Sequence, residues 1–265
     1  MKREKNIGLV FSGGGARGSY QIGVWKALTE MGLDQRIGAV YGTSVGAING
    51  AAFVQGDFQK AVDYWTHIEP STIFANAHDN TDKSARHQWM ERIKSAIKNK
   101  GVDVSPLKEM IRESISEDNI RSSDLDFGLV VYSVTELKAK YLRKEEIPVG
   151  ELIEYIIASA TFPVFQPHRI GDQLFLDGGV KDNRPVDFFK RHKDIDQAII
   201  VDVTIARHVW RTKPVEGLDN MIYVRPTRLL GSPLAFRHKK IMTNMELGYK
   251  DARKQLAAFR LKSRA

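Results

Sequence analysis

Short apolar runs and helix-period stretches alternate through the first fifty-odd residues. Ile7 to Phe11 is a continuous apolar run of strand length, and beyond it Val24, Leu28 and Met31 recur at i, i+4 and i+7 before Gly32. Ile37 to Tyr41 is again short, apolar and partly β-branched, and Val45 to Ala52 consists of small residues suited to a helix packed close to its neighbours. Two strand–loop–helix units in succession predict parallel neighbouring strands joined by a crossover. Both intervening loops then lie at the carboxyl end of one sheet, where open α/β folds bind ligands.

The pattern turns mostly helical downstream. Residues 58–66 and 84–99 mix charge with scattered aromatics, and Ser105-Pro106 opens a helix carrying Leu107, Ile111 and Ile115. Residues 57–123 exceed what a plain crossover needs, which predicts a helical cap inserted beside the two loops, with ordinary surface helices as the alternative. A strand is expected over Phe127 to Val134 and a core helix over Val149, Leu152, Ile153, Ile156, Ile157 and Ala160. Another strand is expected over Gln173 to Leu176. His168, flanked by Pro167 and Arg169, reads as part of a surface hairpin. Met242, Met245, Tyr249, Ala252, Leu256 and Phe259 recur at helical spacing near the end.

The loops carry the chemistry. Gly42-Thr43-Ser44-Val45-Gly46 closes a strand and opens a helix, the form of a nucleophile elbow. A sharp turn there presents the Ser44 hydroxyl at a helix amino end, which favours developing negative charge. After the first strand, Gly13, Gly14, Gly15 and Gly18 leave backbone N–H groups open to an anion. Asp177, at a strand end before Gly178 and Gly179, is able to reach the cleft between those loops. Gly13-x-Gly15-x-x-Gly18 also matches the dinucleotide fingerprint, so a nucleotide-binding protein is the alternative. That fingerprint needs an acidic residue at the end of the second strand. Here the strand ends in Gly42, Thr43 and Ser44, and Asp34 precedes it.

These motifs in this order resemble the patatin-like phospholipase family: Gly-Gly-Gly-Ala-Arg-Gly, then Gly-Thr-Ser-Val-Gly, then Asp-Gly-Gly. Ala158-Ser159-Ala160-Thr161-Phe162-Pro163 and Asn183-Arg184-Pro185 add to the likeness, which spans about Ile7 to Val203. The resemblance implies a three-layer α/β/α fold with a mainly parallel sheet, and a Ser–Asp dyad hydrolysing the acyl esters of lipids. On this chain it makes Ser44 the nucleophile and Asp177 the general base. The amides of Gly14 and Gly15, helped by Gly13, become the oxyanion hole. Ser12 stands where plant patatins carry an aspartate, outside the dyad. Arg17 either steadies the glycine loop or holds a substrate phosphate, to which guanidinium geometry is suited; its bland role is a helix-start ion pair. An idle-site regulatory protein on the same fold is a further alternative.

Composition narrows the rest. With 265 residues, 42% of them apolar, one domain over 1–265 is expected, and the lack of cysteine excludes disulfides and thiolate catalysis. The basic start is followed by an apolar run too short for a signal peptide, and nothing approaches a membrane span, so a cytoplasmic protein is expected. A Ser–His–Asp triad would need His192, His208 or His238, each expected to be an exposed polar residue. His78, Asp79, Asp82 and His87 match no metal-ligand spacing, and neither a metal nor another cofactor is expected. Residues 236–265 hold nine Lys or Arg against two Asp or Glu, +7 of the net +8. A basic helix over 236–262 is expected to pack on the core through Leu256 and to touch an anionic membrane through its last turns. No aromatic platform accompanies it, so nucleic acid is not an expected partner; the expected partner is a lipid ester substrate.

Overall fold

The structure, a computed structural model, describes residues 5–74, 102–192, 194–204 and 220–257. Its elements in chain order are β1 (Ile7–Phe11), α1 (Ser19–Glu30), β2 (Ile37–Thr43), α2 (Val45–Gln55), α3 (Phe58–His67) and α4 (Pro70–Ile73). They continue with α5 (Ser105–Ser114), α6 (Glu117–Ser122), β3 (Asp126–Ser133), β4 (Lys138–Arg143) and α7 (Leu152–Ser159). The chain then forms β5 (His168–Ile170), β6 (Gln173–Asp177), β7 (Gln197–Val201), β8 (Asn220–Val224) and α8 (His238–Leu256).

One mixed sheet runs in the order β5-β6-β3-β2-β1-β7-β8, with β4 also paired to β3. The five strands β3-β2-β1-β7-β8 are mutually parallel, whereas β4 and β6 run antiparallel to β3. Fully buried strands explain the unbroken apolar runs: every residue of β1 and β7 is buried. Ile7, Leu9 and Phe11 face the layer of α-helices, while Val10, Tyr41, Val130 and Ile200 face the 3-10 segment Val186–Arg191 through Phe188 and Phe189.

The register of β3 positions the site. β2 pairs in parallel with β3 and ends at Thr43 opposite Val130. β4 occupies the other edge of β3 along Gly128–Ser133. β6 therefore takes up the edge that β2 vacates, approaching from the opposite direction and ending with Asp177 opposite Val131. Two strand ends from remote parts of the sequence thus meet head to head.

Four expectations need correction. Val149 is not on the core helix: it lies in the turn Pro148-Val149-Gly150 and is 85% exposed, because the proline and the positive φ of Gly150 delay helix entry. His168 does sit in a hairpin, yet it is buried, with its Nε2 2.8 Å from Glu154 Oε2. His192 is not a free surface residue either, since its Nε2 contacts Asp126 Oδ2. Met242 projects outward at 42% exposure, and the buried line of α8 runs through Ile241, Asn244, Gly248, Asp251, Ala252 and Leu256. His238 is exposed, as expected, while Phe259, His208, His78, Asp79, Asp82, His87, the predicted helix over 84–99 and the last basic turns lie outside the described residues. Among the described residues no helix is long and apolar enough to cross a membrane, and no acidic or histidine group is arranged to hold a metal ion.

The inward face of α8 escapes a hydrophobic pattern because it is built for close approach and hydrogen bonding. A Cβ on Gly248 would stand 2.0 Å from the Tyr20 carbonyl oxygen, and one on Gly23 of α1 would stand 1.8 Å from the Met245 carbonyl oxygen. Asp251 accepts from Tyr20 Oη at 3.2 Å and from the Thr227 N–H at 2.9 Å. Gly248→Ala gains about 1 kcal/mol of helix propensity. It also forces two helix backbones apart, an overpacking cost of about 1–3 kcal/mol that is expected to dominate. Urea denaturation should therefore give a lower midpoint for the variant; a higher one would show that the helix pair has slack.

Candidate active site

The elbow follows from sterics. Ser44 caps α2 with φ 60° and ψ −133°, a left-handed backbone that a non-glycine residue holds only when its surroundings over-determine it. The flanking glycines supply that surrounding. A Cβ on Gly42 would lie 2.2 Å from the Gly46 carbonyl oxygen, and one on Gly46 would lie 2.1 Å from that of Phe11. The Ser44 N–H donates to Ser159 Oγ at 3.0 Å, and the Ser159 hydroxyl donates to the Val130 carbonyl at 2.7 Å. Ser159, fully buried at the end of α7, thereby pins the strained residue to the strand beside it.

Asp177 is 3% exposed and accepts a hydrogen bond from the Gly179 N–H at 2.7 Å, and the Ser44 side chain stands close enough to its carboxyl to lower its pKa. Its own N–H donates to the Thr161 carbonyl at 2.7 Å, tying the strand end to the segment after α7. Burial raises the carboxyl from 3.8 to about 6, against the lowering effect of Ser44 and of the Gly179 hydrogen bond. The loop beyond is braced by Thr43 Oγ1 donating to the Asp182 carbonyl at 3.1 Å and by Tyr141 Oη donating to Asp182 Oδ2 at 2.9 Å.

The glycine loop flanks the same point. A Cβ on Gly13 would stand 2.8 Å from the Ser44 Cβ, so the loop and the elbow touch. The Gly13 N–H donates to the Asn183 carbonyl at 3.3 Å, and Asn183 Nδ2 donates back to the Gly13 carbonyl at 3.2 Å. The N–H groups of Gly14 and Gly15 have no acceptor among the described residues, and both glycines line the cavity in front of Ser44. Of the three glycines expected to donate, the first is thus committed to the scaffold. Arg17 also lines the cavity, and its Nε donates to the Gly231 carbonyl at 2.8 Å. No carboxylate among the described residues pairs with it, and burial lowers its pKa.

Other supports were silent in the sequence. Asn49 of α2 donates to the Gly18 carbonyl at 3.0 Å and to Gln21 Oε1 at 2.7 Å, and accepts from Trp65 Nε1 at 2.9 Å. Gln21 donates onward to the Ser12 carbonyl at 2.7 Å, while Ser12 Oγ accepts from the Val203 N–H at 2.9 Å. This buried network joins α1, α2, α3 and the glycine loop. The signal for it was a set of polar residues at positions that helical periodicity assigns to the interior. Of the triad candidates, His192 fails on position: it binds Asp126, five residues back along β3 from Val131, about 16 Å by strand rise. Asp34 lies before β2, at the end of that strand remote from the glycine loop, where it does not meet the dinucleotide requirement.

The cavity measures about 430 Å³ and is mostly apolar, with Val45, Ile48, Trp65, Phe165 and Phe236 among its lining residues. The family model for patatin-like phospholipase matches residues 9–190, which carry the glycine loop, the elbow and Asp177. The chain belongs to the patatin-like phospholipase family. It is 30% identical over 200 residues to the lysophospholipase NTE1 of Cryptococcus neoformans, covering 75% of this chain and 11% of that protein. It is 28% identical over 190 residues to patatin-like phospholipase domain-containing protein 7 of Mus musculus, covering 68% and 12%. The match thus spans about a tenth of the length of these two relatives. Among solved structures, VipD from Legionella pneumophila superimposes with a TM-score of 0.61 at 15% identity, covering 96% of this chain and 67% of VipD. The type III effector ExoU gives 0.55 at 14%, covering 98% and 54%. The fold is the three-layer α/β/α arrangement of this family, with the second helical layer thin.

The raised Asp177 carboxyl has a consequence for stability. Folded protein holds this proton more tightly than the unfolded chain, so its stabilising effect is complete below pH about 3.8 and lost as pH rises through about 6. Asp177→Asn removes the buried charge and keeps an acceptor for Gly179. At pH 8 the variant should be more stable than the parent by about 2–3 kcal/mol, at 1.36 kcal/mol per pKa unit. The gap should close below pH about 4. Denaturation at both pH values checks this, and an equal gap at each would contradict it.

Proposed function

We propose that this chain is a serine lipid acyl hydrolase in which Ser44 attacks a carboxylic ester and Asp177 takes its proton. The carrying observation is the buried Asp177 carboxyl beside Ser44 on its strained turn, both lining one mostly apolar cavity faced by two uncommitted backbone donors. In the first half, the Ser44 Oγ–carbonyl bond forms as its proton passes to Asp177. The tetrahedral oxyanion accepts hydrogen bonds from the Gly14 and Gly15 N–H groups. Each donor of this type is worth about 100- to 1,000-fold in rate. Collapse breaks the ester C–O bond, and the proton on Asp177 goes to the departing alcohol. In the second half Asp177 takes a proton from water as its oxygen adds to the acyl-serine; collapse then breaks the acyl–Ser44 Oγ bond, the proton on Asp177 returns to Ser44 Oγ, and the fatty acid leaves.

A carboxylate is a weak base in water, and a value near 6 places it closer to the working pH, where general bases are most effective. Gly13 gives the clearance that lets the loop approach Ser44, and Arg17 offers its remaining guanidinium N–H groups to a substrate phosphate. The helices α3 to α6 act as a cap over the acyl end. Lysophospholipase activity in a relative favours lipid esters over other acyl groups, and the apolar cavity agrees with it.

A fluorophosphonate probe tests the reading, because it reacts fast only with an activated serine. Labelling should be strong in the parent, absent in Ser44→Ala and slowed at least about 1,000-fold in Asp177→Asn. For ester hydrolysis, kcat/KM should fall on the acid side with an apparent pKa near 6. Labelling that survives Ser44→Ala, or an acid limb unrelated to this range, would refute the assignment.

A further inference from the structure

The cavity is aligned with a helix, and that alignment makes it a measure of chain length. Ser44, Ile48, Ala52 and Gln55 all line it, and they lie at i, i+4, i+8 and i+11 along α2, one stripe of the helix from its cap to its last residue. Beyond Ser44 the stripe is apolar at Ile48 and Ala52 and turns polar at Gln55. Gln55 is also fixed: its Nε2 donates to the Ser114 carbonyl at 3.1 Å and its Oε1 accepts from the Ser116 N–H at 3.0 Å. Ser114, at the end of α5, lines the cavity beside it. The cavity is mostly apolar, although Asn49, Lys60 and Tyr64 also line it, and an amide held at both ends makes a polar stop in it, because entry of a methyl group there displaces hydrogen bonds without replacing them.

We infer that α2 is an acyl-chain ruler: a single fatty acyl chain, esterified at the Ser44 end, lies along Ile48 and Ala52 and stops at Gln55. Eleven residues of helix span about 16 Å. Carbon–carbon bonds of about 1.5 Å at tetrahedral angles advance about 1.25 Å per carbon, so the slot is filled by about 12–14 carbons. Ala52 stands three residues, about 4.5 Å of helix rise, before Gln55. A larger side chain there removes room for about three to four carbons.

The chemistry at the Ser44 end rests on the hydrolase reading, whereas the slot rests on geometry, and two measurements separate them. The first is kcat/KM for a homologous series of acyl esters from 4 to 18 carbons. It should rise about fourfold per methylene inside the slot and level off or fall beyond about 14 carbons. The break should move about three to four carbons shorter in Ala52→Leu and to longer chains in Gln55→Ala. The second is the rise in melting temperature of Ser44→Ala protein with free fatty acids of 8 to 18 carbons, alone and with each slot substitution, which should break at the same lengths. A fatty-acid break that moves as stated without any ester turnover sustains the ruler and sinks the hydrolase reading. Turnover with a flat profile, or a break that neither substitution moves, overturns the ruler.

Discussion

One edge of β3 is shared by two strands that arrive from opposite directions, and the site depends on that sharing. β2 stops opposite Val130 and β6 stops opposite Val131, so the residue after one end and the last residue of the other are forced together. Parallel pairing brings the elbow to the carboxyl end of the sheet, and antiparallel pairing returns Asp177 to the same point from a hairpin. No loop has to be held in place by a ligand for the two side chains to meet. The placement is carried by backbone hydrogen bonds within the sheet, the least deformable part of the molecule.

That arrangement costs stability. The chain buries a carboxylate without a cationic partner among the described residues and holds Ser44 in a left-handed backbone, both unfavourable features. They persist because rigid elements surround them: Gly42 and Gly46 packed on backbone, Ser159 bridging the elbow to β3, and Asn49 linking three helices to the glycine loop. Such strain is common where a reactive group must be presented to substrate, and the supporting shell has to be stronger than the strain it contains.

How much of this was legible before coordinates depended on what kind of interaction carries each feature. Buried parallel strands announce themselves as unbroken apolar runs, and the elbow does so through glycines that only close backbone approach requires. The positions of Ser44 and Asp177, the proposed dyad, were legible because each sits in its own local motif at a strand end. The partners of the supports were not, since Ser159, Asn49 and Gln55 act through hydrogen bonds reaching 115, 31 and 61 residues away, and periodicity marks a polar position as interior without naming what it bonds. The stripe on α8 held at Ala252 and Leu256, with Met245 and Tyr249 packed at its margin, but missed at Met242 for a related reason: a face of Asn244, Gly248 and Asp251 packs by proximity and hydrogen bonding, which a hydrophobic reading does not see. His168 looked like a surface residue because its partner, Glu154, lies on another element. Val149 looked like core because apolar character alone does not say where a helix begins.

The most direct test of the central claim is a crystal structure of the protein after reaction with a long-chain alkyl fluorophosphonate. The account predicts phosphorus bonded to Ser44 Oγ and its free oxygen within about 3 Å of the Gly14 and Gly15 amide nitrogens. It also predicts the Asp177 carboxylate beside Ser44 and the alkyl chain directed along α2. A phosphonyl oxygen turned away from both amides, or an Asp177 carboxylate out of hydrogen-bonding reach of the Ser44 oxygen, would contradict it.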